Sequence, residues 1–468
     1  MAVITAIRAG IRHFIGILKL IGNLLIGNLL TYLSSIFLNG TQPSRLFTGQ
    51  VGKTLFQLGC AFQFNSSNHA AGALEFAFPL RGPRLIFKPR MNKVCKIAAL
   101  AGDGIGPEVM REAIKVLRAV EKKFSLKIDL TEAPVGWAGI DAAGKALPDA
   151  TLALCRQCDA ILFGSVGLPS RDPSIPKDER PERAALLRLR KEFRLYANLR
   201  PVRLPLALAG SCPLRPERQG KGIDILLVRE LTGGLYFGQP KKTEEVVDLP
   251  EKNGTQRHYS RAIDSMVYTT IEIERIAHTA FQAARLRRKL LASVDKANVL
   301  ENGILWRETV TRIGKQYPDV ALEHIFVDNA AMQLVLNPSR FDVLLCENMF
   351  GDILSDEAAA LAGSLGMLPS ASLGTTTGER TFGLFEPAGG SAPDIAGKDL
   401  ANPIAQIGSV ALLLRYSLGL NDAANAIDHA ITKVIDSGLR TGDIYQKEVS
   451  GTSKVGTRAM GDAIAKAI

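Results

Sequence analysis

Cysteine is scarce in this chain, with six in 468 residues, too few for the disulfide scaffold of a secreted protein. Cys155 and Cys158 form a CxxC within ALCRQCDAILFGS, but no second CxxC completes a zinc site. A thioredoxin-type pair follows a strand and opens a helix, whereas this one closes a predicted helix ahead of the strand AILFG. The cysteines read as structural, which favours a reducing compartment. The six histidines form no HxxxH pair, so the usual zinc spacing is missing too. There is no internal repeat. Acidic residues are almost absent from one end: residues 1–90 hold nine Lys/Arg and the single acid Glu75. The remainder carries 48 basic against 45 acidic residues, so most of the net charge of +11 belongs to that first segment. The body is near neutral, which argues against a nucleic-acid partner.

Residues 20–38 carry no charge and are about long enough to span a bilayer, although Asn23, Asn28 and several Gly and Ser interrupt them. A secretory signal fits poorly, because the apolar region is too long and no small-residue cleavage site follows. Three readings remain for residues 1–90: a start assigned upstream of the true one at Met91, an organellar transit peptide, or a membrane anchor. The catalytic body is expected in the cytoplasm without a membrane partner, or in an organelle if the segment is a transit peptide. TGQVGKT is not a phosphate-binding loop, since Phe47 stands where that motif needs its first glycine.

From Lys96 onward strand and helix patterns alternate. KIAALAG, LKIDLTEA, AILFGS, LYANLRPV, IDILLVRE, LLASVDK, HIFVDNA and FDVLLCEN read as strands. Helices are expected near 107–122, 149–158, 183–193, 270–289, 298–316, 328–336, 351–363, 402–417 and 422–437. This alternation predicts an α/β protein with a largely parallel sheet. The polar stretch 238–260 reads as an exposed loop or hairpin arm. GDGIGPE places glycines at 102, 104 and 106, which is not the GxGxxG of a Rossmann fold.

Polar residues collect at strand ends and helix starts, where α/β proteins place their ligands. Arg190, Arg200 and Arg229 suit carboxylates, which guanidinium binds bidentately. Asp352 and Asp356 lie one helical turn apart. With Asp328 they suit a hard divalent cation, although helix capping explains an isolated Asp equally well. Lys296 ends one strand, and Tyr236 follows another.

GDGIGPEV, PERAALLRLRKEF, ANLRP, VRELTGGLYFG, VDKANVL, NMFGDILSDE, GSLGMLPSAS and EPAGGSAPDIAGK together resemble the metal-dependent β-decarboxylating dehydrogenases of the isopropylmalate/isocitrate family. The resemblance runs from about Lys96 to the C-terminus. It implies a two-domain fold, not Rossmann, with the site in the interdomain cleft: residues 91–195 plus 363–468 as one domain and 196–362 as the other. It implies that Arg190, Arg200 and Arg229 bind substrate carboxylates. Mg²⁺ or Mn²⁺ would be held by Asp352 and Asp356 of one subunit with Asp328 of a second, in a homodimer with shared sites. Lys296 takes the hydroxyl proton and Tyr236 returns one after decarboxylation. Cofactor contacts fall on Gly366, Glu386, Gly389, Gly390, Ser391, Ala392, Pro393, Asp394 and Asn402. Asp394 stands where NADP-dependent members carry Lys-Tyr, which implies NAD⁺. Leu186 and Leu187 fit an isopropyl group, where isocitrate-specific members place Ser and Asn. The implied reaction is NAD-dependent oxidative decarboxylation of 3-isopropylmalate in leucine biosynthesis. The alternatives are tartrate or D-malate oxidation, or a membrane-attached non-catalytic relative. Glu347 adds a charge ahead of the Asp352 helix and has no assigned role.

Overall fold

A computed structural model describes residues 94–220, 222–247, 258–377 and 380–468. The segment 1–90, with its three readings, lies outside the described residues. The strands are β1 (Cys95–Gly102), β2 (Ile128–Glu132), β3 (Ala160–Ser165), β4 (Ala197–Leu204), β5 (Ile223–Glu230), β6 (Lys241–Val247), β7 (His258–Asp264), β8 (Leu290–Asp295), β9 (Ala321–Phe326), β10 (Val343–Cys346), β11 (Pro369–Thr377) and β12 (Arg380–Pro387). Ten of them form one sheet in the order β2-β1-β3-β12-β11-β4-β5-β10-β8-β9. Both flanks are parallel, and the seam β12-β11-β4-β5 is antiparallel. The sheet is therefore mostly parallel, as the alternation predicts, with a reversed centre.

The inner flanking strands β3 and β10 are buried on both faces, because helices cover them. The helix Gly106–Phe124 shows how pattern becomes packing. Val109, Ala113, Val116, Leu117 and Val120 are buried at helical spacing, with Pro107 in the first turn. The stretch 238–260 contributes to an exposed antiparallel hairpin, β6 with β7. The helix Asp149–Gln157 ends just before β3, so Cys155 and Cys158 close a helix as expected. Burial pushes the Cys155 thiol up to about 12, which makes it inert. None of the five described cysteines forms a disulfide.

Three expectations needed correction. The helix expected over 183–193 is wound as a π-helix over Glu182–Leu187 before Arg188–Glu192 continues as α. HIFVDNA is only half strand, since the helix Val327–Leu336 begins at Val327 and Asp328 sits in its first turn. The helix expected from 351 starts at Asn348, because Glu347 caps it. Strands β11 and β12 were not foreseen.

The loop GDGIGPE is fixed by Asp103. Its buried carboxylate accepts from the N–H groups of Trp137 (2.8 Å), Ala138 (3.3 Å) and Gly167 (2.8 Å). Next to it, Ile105 N–H donates to the Ser391 carbonyl at 2.8 Å. One side chain thus ties together the loops after β1 and β3 and the start of the helix Trp137–Ala143. Asp103→Ala strands these donors and should cost about 3 kcal/mol of stability, measured by urea unfolding.

Candidate active site

The antiparallel register of β4 and β5 sets Asn198 opposite Arg229 and brings Arg200 onto the same sheet. Arg229 is 3% and Arg200 7% exposed. Arg229 donates from Nε (3.1 Å) and Nη2 (2.8 Å) to Asn348 Oδ1, and from Nη1 to Asp352 Oδ1 at 2.5 Å. Gly351 makes this crossing possible, since a Cβ there would lie 2.7 Å from Arg229 Cγ. Arg200 donates from Nε to Asn198 Oδ1 (2.9 Å) and from Nη1 to Ser355 Oγ (2.6 Å) and Asp356 Oδ1 (3.1 Å). Its Nη2 lies 3.5 Å from Asp352 Oδ1. Asp352 and Asp356 of the helix Asn348–Leu361 therefore converge on one guanidinium. The Tyr236 hydroxyl donates to Asp352 Oδ2 at 3.0 Å.

Burial sets the electrostatics. It lowers Arg229 to about 10, with the neighbouring charge of Arg200 as the next cause. Burial also lowers Arg200, against the pull of Asp352. Burial raises Asp356 and, together with Asp352, raises Tyr236. Tyr236 is therefore protonated at neutral pH and has a proton to give. Crowded, desolvated cations of this kind are a receptor for a ligand with more than one negative charge.

Arg190, on Arg188–Glu192, reaches β12, where its Nη2 donates to Glu386 Oε1 at 2.7 Å. Leu186 and Leu187 lie half-buried on the π-wound turn before it. Lys296 and Asp328 form a separate pair, Nζ to Oδ1 at 2.7 Å. That contact holds the exposed Asp328 carboxyl below its usual range. No single chain assembles the three aspartates: among the described residues no three His, Cys, Asp or Glu side chains converge to hold a metal.

The remaining expected residues lie in the turn before β11 and along the segment after β12. A Cβ on Gly366 would lie 2.7 Å from Asn402 Cβ. Asn402 Nδ2 donates to Asp443 Oδ2 at 3.0 Å, which also accepts from Ser364 Oγ at 2.5 Å. Gly389 and Gly390 sit on the turn after β12, and Gly390 is open to space. Ser391 is buried and donates from Oγ to the Gly167 carbonyl. Ala392 adopts φ +37°, a left-handed conformation rare outside glycine. Pro393 and Asp394 are exposed. Open glycine backbone beside an outward carboxylate suits a ligand with phosphates and ribose hydroxyls.

Asn198, Asn348, Ser355 and Asp443 were missed by sequence reasoning. Strand alternation puts Asn198 on the face of Arg200, and helical spacing puts Asn348 one turn from Asp352, so both were recoverable. Asp443 has no local signal.

A family model described as isocitrate/isopropylmalate dehydrogenase matches residues 96–464. The chain is 58% identical over 378 residues to a 3-isopropylmalate dehydrogenase of Geobacter metallireducens, covering 81% of this chain and 100% of that protein. It is 55% identical over 376 residues to one of Escherichia coli, covering 80% of this chain and 98% of that protein. Among solved structures, isocitrate dehydrogenase from Methylococcus capsulatus is similar with a TM-score of 0.66 and 34% identity, over 80% of this chain and 99% of that one. A β-decarboxylating dehydrogenase from Thermococcus kodakarensis is similar with a TM-score of 0.60 and 33% identity, over 80% and 96%.

The Lys296–Asp328 pair lies at the surface, where screened ion pairs add little stability. Lys296→Ala is expected to leave the melting temperature unchanged within about 1–2 °C, read by circular dichroism.

Proposed function

Because the chain belongs to the isocitrate/isopropylmalate dehydrogenase family, we propose that it oxidises and decarboxylates 3-isopropylmalate to 4-methyl-2-oxopentanoate, a step of leucine biosynthesis. The observation that carries the choice of substrate is the half-buried pair Leu186 and Leu187 ahead of Arg190. Two leucines cannot pair a third carboxylate, but they do accept a branched alkyl group. The distinction from related malates is worth only about 1–3 kcal/mol per methylene.

The residues divide the work. Arg200 and Arg229 hold the substrate carboxylates with Arg190, and their burial strengthens the contact. Lys296 takes the hydroxyl proton as C2 is oxidised. Tyr236 donates a proton to the carbon skeleton once CO₂ has left. Mg²⁺ or Mn²⁺ on Asp352, Asp356 and Asp328, with NAD⁺ along Gly366, Glu386, Gly389–Asp394 and Asn402, would supply charge stabilisation and hydride acceptance. The hard carboxylate oxygens fit that metal class, and the exposed Asp394 fits a ribose hydroxyl and opposes a 2′-phosphate.

We assign the working unit as a homodimer of two-lobed subunits, residues 91–195 plus 363–468 and residues 196–362, with the cleft where β11 meets β4. Exposed apolar residues support the pairing: Met332, Val335 and Leu336 on Val327–Leu336, and Ile353 on the helix packed beside it. Such a face belongs to an interface. No helix among the described residues is long and apolar enough to cross a membrane, and the lack of disulfides among the described cysteines suits a cytoplasmic setting.

An NADH-formation assay tests the substrate. 3-Isopropylmalate is expected to exceed D-malate and isocitrate by roughly tenfold or more in kcat/KM, and a chelator should abolish turnover. Preference for D-malate would overturn the substrate, and chelator-resistant turnover would overturn the metal. Complementation tests the shared site: Lys296→Ala and Asp352→Asn variants, each inactive alone, should regain about a quarter of parental activity when co-expressed. Such mixing leaves half of the dimers with one intact site. No recovery would overturn sharing.

A further inference from the structure

One buried hydrogen-bond unit lies behind the candidate site without a part in the chemistry above. Glu347 immediately precedes the helix Asn348–Leu361 and is 3% exposed. Its carboxylate accepts from Phe350 N–H at 2.6 Å, from Met349 N–H at 3.0 Å and from the Tyr268 hydroxyl at 3.0 Å. The Tyr268 oxygen in turn accepts from Asn348 N–H at 2.8 Å. The first three N–H groups of the helix therefore end on these two side chains.

This first turn also carries substrate geometry. Asn348 Nδ2 donates to the Gly233 carbonyl at 3.0 Å, while its Oδ1 takes both donors from Arg229. Asp352 follows one turn later and receives the third Arg229 nitrogen. A shift of the helix start moves Asn348 and Asp352 together, and so moves the guanidinium between them. On the other side, Tyr268 stands edge-on to Trp306 with ring centroids 5.6 Å apart. Both line a small cavity together with Lys296 and Glu347. Short side chains are the usual helix caps. The longer glutamate can accept from the tyrosine as well as from the helix.

We propose that Glu347 and Tyr268 are positioning residues for the substrate and metal half-site, fixing the first turn of the Asp352 helix and, through Asn348, the guanidinium of Arg229. The metal part of this proposal rests on the reading of Asp352 and Asp356 as metal ligands; the Arg229 part does not.

Tyr268→Phe in the full chain is the primary test, because the ring and its packing on Trp306 are kept. KM for 3-isopropylmalate and the half-saturating Mg²⁺ concentration should each rise roughly fivefold or more. KM for NAD⁺ and kcat should stay within about twofold, the signature of lost binding geometry. Glu347→Ala should reproduce the split. Glu347→Gln, which keeps one acceptor oxygen but turns an NH₂ group toward the other helix N–H, should fall between Glu347→Ala and the parent. A fall in kcat or in melting temperature with every KM unchanged means a structural role only and overturns the proposal. Should Glu347→Ala fail to fold, Tyr268→Phe decides alone. Should the parent enzyme need no metal, the ligand assignment of the aspartates fails, and the substrate KM of Tyr268→Phe still decides the Arg229 part.

Discussion

Two guanidinium groups buried side by side set the terms for everything around them. Removing one ion from water costs several kcal/mol even after relaxation, and Arg200 and Arg229 add mutual repulsion. Each is satisfied from several directions: Arg229 by Asn348 and Asp352, Arg200 by Asn198, Ser355 and Asp356. The spacing of Asp352 and Asp356 answers this need within the chain itself. Two carboxylates one turn apart repel on an isolated helix. Here Arg200 lies between them, 3.5 Å from one and 3.1 Å from the other. On the proposed function a dicarboxylate with a divalent cation would meet the same requirement in another way, the arginines facing the ligand and the aspartates the metal.

The sheet explains why this cluster stands where it does. Parallel flanks buried on both faces have room only for apolar strands, and β3 and β10 comply. The antiparallel seam departs from that rule. β4 carries buried Asn198 and Arg200, and β11 carries buried Ser370 and Ser372. Asn198 Nδ2 bridges the seam to both serine hydroxyls at 3.2 Å while its Oδ1 orients Arg200. A buried polar ladder is tolerable only when its members are paired, and pairing them fixes the register of β11 on β4. The same seam carries Glu386, so Arg190, which follows Leu186 and Leu187, is tied to the strand that leads into the turn at Gly389 and Gly390.

Much of this was legible in the sequence. Apolar periodicity located the flanking strands and the long helices, because their burial leaves a repeating signal. The arginines and aspartates stood out by type and position. The errors have physical causes. PSASLGTTT forms β11 without an apolar run, since its residues serve the polar seam rather than a core face. The π-wound turn at Glu182–Leu187 has no periodicity that separates it from an α-helix. The helix start moved to Asn348 because glutamate is not a usual cap, and it caps here with help from a tyrosine 79 residues away. Long-range partners such as Asp443 leave no local trace, whereas Asn198 and Asn348 were within reach of simple strand and helix spacing.

The remaining carboxylate ties chemistry to association. Val327–Leu336 packs beside Asn348–Leu361, yet Asp328 turns to Lys296 and leaves its carboxylate 67% exposed. Neighbouring helices in one chain therefore present two parts of the centre separately. Both helices also expose apolar side chains, Met332 and Val335 on one and Ile353 on the other. Covering such area is worth about 25 cal/mol per Å², so a partner surface gains most by docking along these helices. Two-fold symmetry then makes the exchange reciprocal: whatever one subunit lends, it receives. In the proposed homodimer the exposed apolar stripe and the Lys296–Asp328 pair would act as one device. On that reading activity would depend on the interface through geometry, with no need for a signal to pass through the fold.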